Sequence, residues 1–149
     1  MSAGSVGGFA VQLARAAGAH VIGTASADAL GSVLELGAHE VVDSAGRFED
    51  AVEAVHVVFD TVGGERLRRS RAVLRAGGRL VSVAEEPPEG GVYFVVEANR
   101  DQLSSLAKMA DAGRLRPPPV EVFPLPAARE AFARSLEPGR HSKVVLDVS

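Results

Sequence analysis

The stretch Ser2-Ala3-Gly4-Ser5-Val6-Gly7-Gly8 stands at the head of the chain and decides how the rest is interpreted. Its residues are small, so the backbone here can come within hydrogen-bonding distance of a phosphate. An apolar helical pattern follows directly, and the free N–H groups at the start of a helix favour an anion. Ser2, Gly4 and Gly7 have the spacing of the dinucleotide fingerprint, with serine in place of its first glycine. The stretch therefore predicts a phosphate cradle.

Helix and strand patterns alternate behind the cradle. Apolar residues at helical spacing predict a helix over residues 6–17, and a β-rich run predicts a strand over residues 20–24. The alternation continues with helix 27–36, strand 40–43, a short helix 48–54, strand 56–60, helix 65–75 and strand 79–84. Such an order requires right-handed crossovers and a parallel sheet covered by helices on both faces. We therefore predict an α/β, doubly wound, Rossmann-like fold that lacks its first strand.

The pattern changes after residue 84. A loop rich in proline and glycine precedes a predicted strand over residues 92–97, and Asn99 can cap a helix that ends at Gly113. The triple proline Pro117-Pro118-Pro119 forbids regular structure and marks a boundary. A strand 120–123, a helix 127–136 and a strand 143–148 follow. We predict a nucleotide-binding domain of residues 1–116 and a C-terminal segment of residues 117–149.

Composition limits the classes of function. The 149 residues are 46% apolar and 23% charged, which is typical of one globular domain. The net charge of -3 argues against a nucleic-acid partner, and four arginines between residues 66 and 71 are interpreted as solvated surface. With no cysteine, no metal-ligand spacing among the histidines and no apolar run of membrane length, we expect no metal, no membrane partner and a cytoplasmic location.

Five stretches, read together, carry a resemblance to a known family. They cover nearly the whole chain in the family's order: residues 7–26, Leu36-Gly37-Ala38-His39-Glu40-Val41-Val42-Asp43, Phe59-Asp60-Thr61-Val62-Gly63-Gly64, residues 74–81 and residues 139–146. They resemble the cofactor domain of the medium-chain dehydrogenase/reductases, in particular the zinc-independent quinone oxidoreductase (zeta-crystallin-like) branch. The resemblance implies a bound NADP or NAD and hydride transfer to or from a quinone, enone or similar carbonyl compound.

The resemblance also implies which residues form the site, while it names no catalytic acid or base in this chain. The cradle would hold the pyrophosphate, two hydroxyl residues would meet the adenosine ribose, two segments would flank the nicotinamide, and two aromatic residues are weaker candidates for the substrate pocket. The cradle residues are Gly4, Ser5, Val6 and Gly7, and the residues at the ribose are Thr24 and Ser26. The two segments at the nicotinamide are Asp60, Val62 and Gly63, and Ser82, Val83 and Ala84. The two aromatic residues are Tyr93 and Phe94. Packing within the core or between subunits is the alternative role for the two aromatic residues.

Three departures from the family qualify these expectations. The family's strand before the cradle and its N-terminal catalytic domain have no counterpart here, so we expect a fragment, a truncated product or a mis-set start that is inactive alone. Leu30 stands where many NADPH-preferring relatives have a basic residue, and Ser26 leaves the choice between NADP and NAD open, with NADPH slightly favoured by the family. The absent strand predicts a groove between Val21 and Val57, filled by residues 143–148 or by another chain in a homo-oligomer.

Other functions remain as alternatives. The chain could be a dinucleotide-binding module without catalysis, or an inactive remnant. A methyltransferase that uses S-adenosylmethionine also has a glycine-rich turn, but it usually needs an acidic residue after its second strand, where this chain has Thr24-Ala25-Ser26. A nucleophile elbow at Ala3-Gly4-Ser5-Val6-Gly7 would need a preceding strand to strain the serine outward.

Overall fold

A computed structural model describes residues 4–88, 90–137 and 142–149. Its first elements are the helix and strand that the sequence predicts behind the cradle, followed by a second pair. They are α1 (Ser5–Ala16), β1 (Ile22–Ala25), α2 (Leu30–Glu35, entered through a 3-10 turn at Ala27–Ala29) and β2 (Glu40–Asp43). The strands β1 and β2 pair in parallel and form the first sheet.

The second sheet contains three strands. Its elements are β3 (Val55–Asp60), α3 (Gly64–Ser70), β4 (Leu74–Ser82) and β5 (Gly91–Tyr93). The order in the sheet is β3-β4-β5, and both pairings are parallel. The remaining elements are α4 (Arg100–Asp111), β6 (Val120–Pro124), α5 (Ala128–Ser135) and β7 (Lys143–Asp147). The strands β6 and β7 pair in parallel as a third sheet.

Parallel ladders joined by helices confirm the predicted α/β, doubly wound class. Because β1 pairs only with β2 and β3 only with β4 among the described residues, the first and second sheets are not hydrogen-bonded to each other. One core lies where α1 and α2 cover the first sheet, with Val11, Ala25 and Val33 almost fully buried. Leu67, Val73 and Leu80 are buried in the second sheet and its helix.

The helix predicted over residues 65–75 is too long. The α-helix ends at Ser70, a 3-10 turn covers Arg71–Val73, and β4 begins at Leu74. The pair Gly77-Gly78, which predicted a helix end, lies inside β4, where the register against β3 shifts. Gly77 has φ +76°, and a Cβ on Gly78 would lie 3.2 Å from the His56 carbonyl oxygen, so the glycines allow an irregular strand to approach its neighbour.

Two further predictions on elements differ from the structure. The strand predicted over residues 92–97 ends at Tyr93, because its neighbour β4 ends at Ser82, the residue paired with Tyr93. The short helix predicted over residues 48–54 is a single 3-10 turn, Phe48–Asp50. The expectation that residues 143–148 fill the groove is wrong, since β7 pairs with β6. No helix in the described parts of the chain is long and apolar enough to cross a membrane.

Candidate functional site

A cleft of about 1080 Å³ separates the first sheet from the second. We call it the strand cleft: β1 forms one wall with Val21 and Ile22, β3 forms the other with Val57 and Phe59, and α1 contributes Gly7, Ala10 and Ala14. This confirms the groove that the sequence predicts between Val21 and Val57. The lining also includes Thr24, the last residue but one of β1, Asp60, the last residue of β3, and Val62, which follows β3. Ligands of open α/β sheets bind outside such carboxyl ends.

The cradle begins α1, whose Gly7 lines the strand cleft. Gly4 is the N-cap residue in an extended conformation, and its carbonyl accepts a 2.7 Å hydrogen bond from the Gly8 N–H. No side chain of the described residues caps the helix, and its first turn contains no acidic residue. The first N–H groups of this 12-residue helix therefore have no side-chain acceptor there, which fits an anion. Gly4 and Ser5 line a second, smaller cavity of about 260 Å³, whereas Gly7 is buried against the strand cleft.

The predicted ribose contacts lie at the end of β1. Thr24 lines the strand cleft, and Ser26 begins the 3-10 turn, with its carbonyl accepting from the Ala29 N–H at 2.9 Å. Leu30, which stands where many NADPH-preferring relatives have a basic residue, packs against the core of the first sheet. Asp28 is exposed in the same turn. The local charge beside Ser26 is thus acidic rather than basic.

Asp60 and Ser82 are brought together at the ends of β3 and β4. The Ser82 hydroxyl donates to Oδ2 of Asp60 at 2.9 Å, and the two residues are 0% and 7% exposed, respectively. The same carboxylate oxygen accepts the Gly63 N–H at 2.9 Å, while Oδ1 lies 3.4 Å from the Val62 nitrogen. Asp60 therefore holds the loop that follows its own strand.

Ser82 holds the loop that follows β4. Its hydroxyl oxygen accepts N–H groups from Ala84 at 3.2 Å and from Glu85 at 3.3 Å. The Val83 N–H donates to the Asp60 carbonyl at 3.0 Å. Because the buried Asp60 and Ser82 side chains are used in these bonds, the groups that the two loops offer to a ligand are backbone and side-chain atoms of Val62, Gly63, Val83 and Ala84.

Glu85 is a residue that sequence reasoning missed. Its Oε1 accepts the Gly64 N–H at 2.8 Å, and its side chain lies 3.0 Å from where a Cβ on Gly63 would stand. Gly63 has φ +77°, a left-handed conformation that favours glycine. The two loops are therefore tied by Glu85 as well as by the pair Asp60 and Ser82. The sequence offered only an acidic dipeptide after a buried strand as a signal.

Tyr93 and Phe94 end β5 beside this region. Tyr93 is paired with Ser82 in the sheet register, and the Phe94 N–H donates to the Ser82 carbonyl at 2.8 Å. Their side chains are 46% and 53% exposed, and neither lines the strand cleft. Four of the candidates border the cleft, namely Gly7, Thr24, Asp60 and Val62. Val6, Ser26, Gly63, Ser82, Val83, Ala84, Tyr93 and Phe94 lie outside both cavities.

A second missed contact joins the cradle helix to the end of the predicted domain. Gln12 is 8% exposed; its amide donates to the Arg116 carbonyl at 3.0 Å and accepts the Arg116 N–H at 2.7 Å. The Arg116 guanidinium also donates to the Glu35 carbonyl. These bonds fix α1 against the triple proline, where Pro117, Pro118 and Pro119 line the smaller cavity. No periodicity in the sequence indicates a pair 104 residues apart.

Known oxidoreductases are similar to this chain over nearly its whole length. A family model described as zinc-binding dehydrogenase matches residues 36–146. The NADPH-dependent alkenal/one oxidoreductase, chloroplastic, of Arabidopsis thaliana is 33% identical over 153 residues, which cover 97% of this chain and 38% of that protein. The NAD(P)H oxidoreductase RTN4IP1, mitochondrial, of Mus musculus is 27% identical over 183 residues, with 99% and 46% covered.

Solved structures show the same likeness. The quinone oxidoreductase from Coxiella burnetii superposes with a TM-score of 0.86 at 27% identity, over 99% of this chain and 51% of that one. The chain spans about half, or less, of the length of these three proteins. The likeness therefore covers one part of each relative.

Proposed function

Because the chain belongs to the zinc-binding dehydrogenase family, in the quinone oxidoreductase-like part of the medium-chain dehydrogenase/reductases, we propose that it forms the NAD(P)H-binding part of an oxidoreductase. One observation carries the proposal. The loops held by Asp60 and Ser82 follow the carboxyl ends of the parallel strands β3 and β4, and α1, whose start has no side-chain cap, lines the neighbouring cleft with Gly7. Dinucleotides bind at that edge of such sheets.

Each part of the site would then have one task. The N–H groups of the cradle from Gly4 to Gly7 would receive the pyrophosphate, as a helix start favours an anion. The hydroxyls of Thr24 and Ser26 would face the adenosine ribose. The loop residues Val62, Gly63, Val83 and Ala84 would border the nicotinamide, held in place by the bonds of the buried pair. This arrangement positions a dinucleotide by backbone groups rather than by charged side chains.

The chemistry proposed is hydride transfer to or from a quinone, enone or similar carbonyl compound, and the nicotinamide supplies the hydride when it is bound. The names of the Arabidopsis and Coxiella relatives support that substrate class. The residues described here bind and orient, and we assign none of them a proton. Tyr93 and Phe94, both about half exposed, would border the substrate only where another part of the protein covers them.

The choice between the two nicotinamide cofactors rests on few groups. Leu30 is packed in the core and Asp28 is exposed in the turn after Ser26, so no cation of this turn would pair with a 2′-phosphate. The name of the Arabidopsis relative supports NADPH. We propose NADPH as the preferred cofactor with a small margin over NADH.

The family's description names zinc. Within residues 4–88, 90–137 and 142–149 no three His, Cys, Asp or Glu side chains stand together as a group that could hold a metal ion. These residues do not fit a zinc site, so the proposal has no metal step.

We also propose that the chain divides at residue 117, that it has no nucleic-acid or membrane partner, and that it is cytoplasmic. These three proposals rest on the sequence. The two relatives named above are described as chloroplastic and mitochondrial. Cell fractionation tests the location.

Fluorescence titration of the chain with NADPH and then NADH tests the proposal. We expect a saturable change in nicotinamide fluorescence with both cofactors, and a lower Kd for NADPH than for NADH. A folded chain that binds neither would contradict it. A turnover assay with a quinone separates this proposal from a second candidate, a dinucleotide-binding module without catalysis.

A further inference from the structure

The neighbouring arginines of α3 do not share one environment. Arg68 is exposed and lies 3.9 Å from Glu65 in the same helix. Arg69 is half-buried and donates to the Gly46 carbonyl at 3.1 Å. Arg66 is also half-buried, and it lines the strand cleft. The interpretation of this cluster as solvated surface therefore describes Arg68 but not Arg66.

The Arg66 guanidinium has no anion to pair with in the part of the chain that the structure describes. Its neighbours form the ion pairs given above and below it in the helix, whereas Arg66 forms no ion pair and no side-chain hydrogen bond with the described residues. Asp60 lines the same cleft, but its carboxylate accepts the Ser82 hydroxyl and the Gly63 N–H. Because a cation that is withdrawn from water is stable only with a partner, this arrangement indicates that an anionic ligand supplies the partner.

The fold fixes the direction in which Arg66 points. The Ser70 hydroxyl donates to the Arg66 carbonyl at 2.8 Å, and Ser70 is 7% exposed and lines the same cleft. Leu67, the next residue, is 1% exposed and packs in the core. Since residues four apart share one face of a helix, Arg66 and Ser70 face the cleft together while Leu67 anchors α3.

Arg66 also lies where the adenosine would bind. It belongs to the first turn of α3, and that helix begins four residues after the last residue of β3. Thr24, which we propose for the adenosine ribose, lines the same cleft from β1. Among the described residues that line this cleft, Arg66 is the only lysine or arginine. A ribose held at Thr24 would therefore share the cleft with one cation.

We propose that Arg66 binds the 2′-phosphate of NADPH and determines the preference for NADPH over NADH, an assignment that rests on the proposed function. The two cofactors differ only in that phosphate, so a cation that contacts it strengthens the binding of one and not of the other. The planar fork of an arginine can donate two parallel hydrogen bonds to phosphate oxygens. The turn after β1 offers no such group, since Leu30 is packed in the core and Asp28 is acidic. Arg66 supplies from α3 the charge that this turn lacks.

Nicotinamide fluorescence titrations of the whole 149-residue chain test this assignment through the two Kd values rather than through turnover. Arg66→Gln should raise the Kd of NADPH by about ten- to hundredfold, as expected for the loss of hydrogen bonds to a charged group, and leave the Kd of NADH unchanged. Arg66→Lys keeps the charge without the fork, so its Kd for NADPH should lie between those of the unchanged chain and Arg66→Gln.

Arg68→Gln is the matched control, because Arg68 is exposed on the same helix, and it should change neither Kd. Circular dichroism should show all three variants folded. An unchanged Kd of NADPH in Arg66→Gln would overturn the assignment and leave the proposed function standing. An equal rise of both Kd values would also overturn it, since Arg66 would then act on a part that the two cofactors share. An unchanged chain that binds neither cofactor would overturn the proposed function and this assignment with it.

Discussion

The hydroxyl of Ser82 donates a 2.9 Å hydrogen bond to the carboxylate of Asp60, and this contact joins the ends of two neighbouring strands. Both residues are buried, and their remaining hydrogen-bonding capacity goes to the N–H groups of the loops that follow them. The loops at the candidate nicotinamide side therefore depend on this polar pair as well as on the bond between Glu85 and Gly64. Variants of that pair should alter stability and the position of the loops together.

Ser82→Ala removes the donor and leaves a buried carboxylate with fewer partners. Loss of a hydrogen bond to a charged group costs about 1.5–3 kcal/mol, so the free energy of unfolding should fall by that amount. Urea denaturation measures it. Ser105→Ala is the matched control and should change little, since among the described residues the Ser105 hydroxyl bonds only the Asp101 carbonyl within an exposed helix. Equal effects of the two variants would contradict the role of the pair.

Gly63→Ala should destabilise the chain. Gly63 has φ +77°, and the added Cβ would lie 3.0 Å from the Glu85 side chain, so a strained backbone costing about 1–3 kcal/mol is expected. Gly31→Ala provides the contrast: Gly31 lies in α2 with open space around it, and alanine there should stabilise by about 0.5–1 kcal/mol. In thermal melts, the Tm should fall for Gly63→Ala and rise for Gly31→Ala. A stabilised Gly63→Ala would refute the strained loop.

Stability should depend on the titration of His39. Desolvation, then the positive charge of Arg15, lowers the pKa of His39 below its ordinary 6.5, and its Nδ1 accepts the Val21 N–H. Because the unfolded state binds the proton more readily, the stabilisation is complete above pH 6.5 and is lost as the pH falls below it. Urea midpoints measured between pH 7.5 and 5 should fall. In His39→Asn the decrease of the urea midpoint that is due to protonation of His39 should be absent. A variant whose midpoints fall with pH as much as those of the unchanged chain would exclude His39 as the source.

Gln12→Ala should loosen the C-terminal segment from the cradle helix. It removes two hydrogen bonds to the Arg116 backbone and leaves those groups without that partner, at a cost of about 1–3 kcal/mol. Limited proteolysis should cut near the triple proline faster than in the unchanged chain. Gln102→Ala, on the exposed face of α4, is the control and should not alter the cleavage rate. Equal rates in all three proteins would contradict the link.

Local residue patterns predict most of the helices and strands, and the wrong predictions lie where long-range contacts decide the structure. The helix before β1 and the strand that ends at Asp60 follow from apolar spacing, which depends only on neighbouring residues. The pair Gly77-Gly78 predicts a helix end because glycine is common there, whereas in the structure Gly77 lies in a strand irregularity that only the pairing with β3 reveals.

The site was predicted in part for the same reason. The cradle and the strand ends are local signals, and the structure places Gly7, Thr24, Asp60 and Val62 around one cleft. The bonds of Gln12 to Arg116 and of Glu85 to Gly64 join residues far apart in sequence, and no periodicity encodes them. These bonds form only once the fold has brought the residues together.

The central claim is that the start of α1 binds the phosphates of a dinucleotide, and NADPH affinity of Gly4→Val tests it most directly. Gly4 is exposed with an extended backbone, φ -71° and ψ 167°, which valine adopts readily, so the variant should fold. The valine side chain would occupy space that the pyrophosphate needs, so the pyrophosphate would lose N–H contacts at the start of α1. Loss of two such contacts to a charged oxygen costs about 3–6 kcal/mol, which raises the Kd a hundredfold or more. We predict that loss for Gly4→Val and an unchanged Kd for Gly31→Val. Equal NADPH binding by both variants and the unchanged chain would contradict the account.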